Sequence, residues 1–114
     1  MSITAITIID TMKKWVEEKH PIAPSLWLDA SLKLTVLRGD VDDKYFELES
    51  ELAKEKADLL SMENMTVAKA DTIIKANDKY KEMRKLGGTI KQIEEMIRIS
   101  KKYSTLKDEE YRHS

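Results

Sequence analysis

The chain has no cysteine. That excludes disulfides, thiolate metal sites and a cysteine nucleophile, and makes a reducing cytoplasm the simplest expected home. Only three glycines and two prolines occur among 114 residues, so few positions are marked as turns or helix ends. Two histidines leave acid–base chemistry near neutral pH almost wholly to carboxylates. No apolar run approaches the ~20 residues that span a bilayer, so no membrane association is expected. The opening MSITAITIID is interrupted by Asp10 and carries no basic region, so it does not read as a signal peptide. The net charge is only −1, too small for a global field that steers the chain toward nucleic acid or an anionic membrane.

What is present favours helices. Charged residues make up 36% of the chain and apolar ones 41%, with Lys, Glu, Leu, Ile and Ala dominant. The length fits one small domain with a modest core. A first helix is expected over Ala5–Lys19, capped by Ser2 or Thr4. Its inner face would hold Ile6, Ile9, Met12 and Val16, widened by Ala5, Ile8 and Trp15. His20-Pro21 and Ala23-Pro24 end it, because a residue before proline is pushed out of the α region.

The segment SLWLDASLKLTVLRGD alternates like a strand at Leu26, Leu28, Ala30, Leu32, Leu34 and Val36, and fits a helix equally through Trp27, Ala30, Leu34 and Leu37. A lone strand would leave its backbone groups unpaired, so a helix is expected, with Ser25 as N-cap and Gly39 just past its end. Its wide apolar circumference predicts the most buried helix of the chain.

A third helix is expected from Asp40 to about Ser61, with a seam of Val41, Tyr45, Leu48, Leu52, Leu59 and Met62 broken only at Glu55. SMENMT forms the turn. Thr66 would cap a fourth helix that turns Val67, Ala70, Ile73, Ile74, Tyr80 and Met83 inward. Ile90, Ile93, Met96, Ile97 and Tyr103 continue the helical spacing, and the polar stretch 104–114 is expected to be disordered.

The fold class is therefore all-α: a small helical bundle over 1–103, with an apolar helix pair in 1–39 and a charged, coiled-coil-like antiparallel hairpin in 40–103. From Asp40 to Met65 nine acids face three lysines, a balance of −6. From Thr66 to Tyr103 ten basic residues face five acids, a balance of +5. Opposite charges along the two legs favour the hairpin pairing.

Gly87 and Gly88 carry two readings. Gly87 can end the fourth helix while Thr89 caps a fifth through the capping-box pattern Thr89-x-x-Gln92. This break or bend is the expected outcome. Alternatively the helix runs through, at a cost of about 2 kcal/mol against alanine. Lys81, Arg84, Gly88, Lys91, Arg98 and Lys102 would then share one stripe, with Glu95 diluting it. Such a stripe could follow a phosphate chain, although only Tyr80 and Tyr103 lie near enough to stack on bases.

Site motifs are nearly absent. Asp40-Val41-Asp42-Asp43 opens like a calcium loop, but Lys44 and the lack of a following glycine make it a helix start. Glu110-x-x-His113 has di-iron spacing in a single copy, where four helices must contribute ligands. There is no P-loop, dinucleotide fingerprint or nucleophile elbow. The sequence points to no enzyme, no cofactor and no metal.

Trp15 and Trp27 flank the proline turn, where they either pack between the first two helices or leave one ring exposed as an interface anchor. The acidic residues Glu47, Glu51 and Asp58 offer a face that could meet a basic surface, as a nucleic-acid mimic does.

The stretch from Val67 to Lys102 resembles the C-terminal halves of small helical proteins encoded by bacteriophages. Ala70, Ala76, Tyr80, Leu86, Ile93, Glu94, Ile97, Arg98 and Lys101 carry the likeness. The resemblance implies a small accessory protein of the bacterial cytoplasm that acts by binding a host or phage protein, and no catalytic residues. A homodimer or other homo-oligomer is expected. A single-stranded nucleic-acid accessory protein and a particle or scaffold component are the two alternatives.

Overall fold

The computed structural model describes residues 4–18 and 21–113, with side chains described through Ser104. It is all-α: helices α1 (Ala5–Glu17), α2 (Pro24–Leu60), α3 (Val67–Lys75) and α4 (Asp78–His113), with no strand among the described residues. The residues group into two compact units that do not follow chain order. One holds 1–40 and 89–114, the other 41–88. The hairpin segment 40–103 is thus shared between them, and α2 and α4 each contribute to both.

The first unit packs α1, the start of α2 and the C-terminal part of α4. Thr4 caps α1, its Oγ1 accepting from the Thr7 N–H at 3.3 Å. The buried face of α1 is Ala5, Ile8, Ile9 and Met12, so its register is rotated from the expected one and Ile6 and Val16 are exposed. Pro24 occupies the first turn of α2, where its missing N–H costs no bond. The Ala23 carbonyl accepts from Leu26 and Trp27, so Ser25 lies inside the helix rather than at its cap. Trp27, Ala30 and Leu34 from α2 and Ile93 and Met96 from α4 are buried in this unit. Arg38 donates to Glu94 at 2.7 Å.

The expected helix end at Gly39 is absent. α2 continues through Gly39 and Asp40, neither of which has positive φ, so Asp40 is helix interior and not a helix start. A mid-helix glycine costs about 1 kcal/mol. Leu34 before it and Leu48 after it are both buried.

The second unit is the antiparallel hairpin. Lys56 pairs with Asp71 at 2.8 Å, Lys79 with Glu55 at 2.8 Å, and Gly87 lies beside Tyr45. One residue number falls as the other rises, which is antiparallel packing. Leu48, Leu52 and Ala70 are its buried residues, while Met62, Val67 and Ile73 are exposed instead of inward. Asn64 takes the left-handed conformation (φ 66°) that closes the turn, and Thr66 caps α3, its Oγ1 accepting from the Lys69 N–H.

The break expected at Gly87-Gly88 is also absent. α4 runs through both glycines and Thr89 is helix interior. The return leg is interrupted earlier, at Ala76–Asn77. α4 is described to His113. Residues 104–113 contain no glycine or proline to stop it.

Candidate functional site

In the first unit, Trp27 is 2% exposed, stacked on Tyr103 (centroids 4.8 Å apart, planes 10° apart) and met edge-on by Trp15 at 5.1 Å. This aromatic trio pins α1 and α4 to the start of α2. Of the two tryptophans, Trp27 is therefore a core residue. Trp15 is half-buried and lines an open groove with Leu26 and Ala30.

The same helix segment has more apolar surface than the core takes. Trp27, Ala30, Ser31 and Leu34 face inward. Leu28 is 55% exposed, Leu32 59% and Val36 73%. Their four-residue spacing places them in one stripe, and Ile8 and Leu37 continue it as the wall of an apolar groove. The expectation that this is the most buried helix is thus corrected: two neighbouring helices cover only part of its circumference. The signal was in the sequence, because apolar residues surround the helix over Leu26–Leu37 while a packed face spans little more than ~100°.

The second unit contains one polar node. Glu55, the break in the α2 seam, accepts from Asn77 Nδ2 at 2.7 Å and from Lys79 Nζ at 2.8 Å. Asn77 Oδ1 in turn accepts from the Lys79 N–H at 2.9 Å, capping α4. The seam break and the helix break are therefore one feature. The Glu55 hydrogen bond holds the Lys79 ammonium above its ordinary pKa, against desolvation that lowers it and with Glu51, 3.6 Å away, adding to the rise.

The acidic candidates separate. Glu47 and Asp58 are exposed, whereas Glu51 is half-buried and engaged by Lys79. Phe46, 62% exposed and edge-on to Tyr45, joins Glu47 at this surface and went unnoticed in the sequence.

The basic candidates divide between units: Lys81, Arg84 and Gly88 in one, Lys91, Arg98 and Lys102 in the other, all exposed. Arg98 is committed to Glu95, whose carboxyl is held below its ordinary pKa by that hydrogen bond. Among the described residues no cluster of His, Asp or Glu is placed to hold a metal, and no helix is long and apolar enough to cross a membrane. The side chains of Glu110 and His113, like His20, lie outside the described residues. No protein-family model, curated protein or solved structure matches the chain.

Proposed function

We propose that this chain is a non-enzymatic accessory protein that works by binding protein through the exposed apolar face at the start of α2. One observation carries the reading: Leu28, Leu32 and Val36 stand in register with more than half of each residue exposed. A contiguous apolar patch of this kind is often a functional contact surface. The resemblance of the C-terminal helix to bacteriophage accessory proteins agrees with a small binding protein of a bacterial cytoplasm, acting on a host or phage complex. The test is comparative capture from bacterial lysate with the wild-type chain and with Leu28→Asp/Leu32→Asp. A partner held by the first and lost by the second supports the reading. Identical capture by both rejects this face.

A second reading is kept by one observation: Lys81 and Arg84 in one unit, and Lys91 in the other, are each exposed and make no ion pair among the described residues. Fluorescence anisotropy with single-stranded oligonucleotides at low and moderate salt tests it. Binding that weakens steeply with salt and disappears on replacing the three by alanine supports phosphate contacts. No binding at low salt removes it.

A further inference from the structure

We propose that the occupant of the α2 face is a second copy of this chain, paired antiparallel about a two-fold axis near Leu32. The proposal rests on the protein-binding reading above and deepens it by naming the partner and the geometry. Two observations carry it, area and charge.

Leu28, Leu32 and Val36 are each more than half exposed, and Asp29, Lys33 and Thr35 flank them at the surface. A specific interface buries about 1,000 Å² or more in total, which takes a partner surface as long as the stripe itself, as a second copy supplies. A smaller partner surface would leave part of the stripe wet.

Charge sets the orientation. Asp29 and Lys33 lie along one edge of the stripe, paired within their helix at 3.0 Å and both more than half exposed. In an antiparallel two-fold pair like edges meet. With the axis at Leu32, Lys33 of each copy falls within about two residues' rise, ~3 Å, of the partner copy's Asp29. Each charge then meets one opposite charge on the other copy and the pair recurs by symmetry, which is the self-complementarity an isologous interface requires. A parallel pair would set the charged edge against Thr35 and Gly39, where neither charge has a counterpart.

The experiment is sedimentation velocity on the full chain from micromolar to millimolar concentration, with circular dichroism as a folding control. The wild-type chain should pass from monomer to dimer and stop there. Leu32→Glu should stay monomeric throughout with unchanged helicity, since the side chain it replaces is already exposed. Asp29→Lys should weaken the dimer roughly tenfold by setting lysines against lysines across the axis. Asp29→Lys/Lys33→Asp should restore it. A chain monomeric at every concentration overturns the proposal, as does a dimer indifferent to Leu32→Glu or a charge swap that fails to restore association. If the dimer fails while lysate capture is still lost on Leu28→Asp/Leu32→Asp, the protein-binding reading stands and only its occupant is wrong. If both fail, the face itself is wrong.

Discussion

Asn77 does two jobs with one amide. Its oxygen caps α4 through the Lys79 N–H, and its nitrogen ties that cap to Glu55 on the opposite leg. Asn77→Ala removes both, and should cost about 1–3 kcal/mol in chemical denaturation, more than a surface cap alone. Lys79 belongs to the same node, and its raised pKa fixes a sign. A group bound more tightly as its protonated form in the folded chain stabilises that chain at every pH below its ordinary value. The contribution disappears as pH climbs past 10.5 and through the higher folded value. The wild-type chain should therefore lose more stability than Lys79→Met between neutrality and strongly alkaline pH. Equal losses would show that the Glu55 hydrogen bond is not made in solution.

At the scale of the element, the glycine pair can be separated into its members. A Cβ on Gly87 would sit 3.4 Å from the Tyr45 ring, whereas one on Gly88 would meet nothing within 4 Å. Gly87 thus lets the ring lie close against the α4 backbone, and Gly88 has no packing reason of its own. Gly88→Ala should stabilise the chain by about 0.5–1 kcal/mol, since alanine costs less backbone entropy in a helix. Gly87→Ala should gain at least as much, because its Cβ would make an ordinary van der Waals contact with the Tyr45 ring. Thermal denaturation of the two variants reads the difference directly, and a loss of stability at Gly87 would contradict that contact. Neither glycine breaks α4 because neither is in a left-handed conformation, and a capping box at Thr89 is worth only about 1 kcal/mol against a packed helix.

For the whole molecule, the aromatic trio joins the three helices of the first unit. Trp27→Ala would leave Trp15 and Tyr103 without their shared ring and should cost about 3–5 kcal/mol, the range for a large buried ring. The near-ultraviolet circular dichroism of the aromatic residues should collapse with it. Loss of that signal without loss of helicity would mark a molten first unit. Leu32→Glu, by contrast, changes an exposed side chain and should leave folding intact, so the two variants separate what holds this unit together from what it offers to a partner.

Local chemistry was enough to specify several elements. The absence of breakers made the chain helical. Thr4 and Thr66 began their helices because each hydroxyl satisfies an N–H of its own first turn. Leu48, Leu52, Ile93 and Met96 lay on seams that helical spacing alone reveals, and all four are buried. Only the tertiary structure decided which side of α1 faces inward, that Gly39 and Gly87-Gly88 stay within helices, and that the return leg breaks at Asn77. Those outcomes depend on atoms distant in sequence: Glu55, twenty-two residues before Asn77, supplies the acceptor that the break at Asn77 uses. The candidate binding face was of the same kind. Leu28, Leu32 and Val36 look like core in a list of residues, and become surface once only two helices are available to cover the segment that carries them.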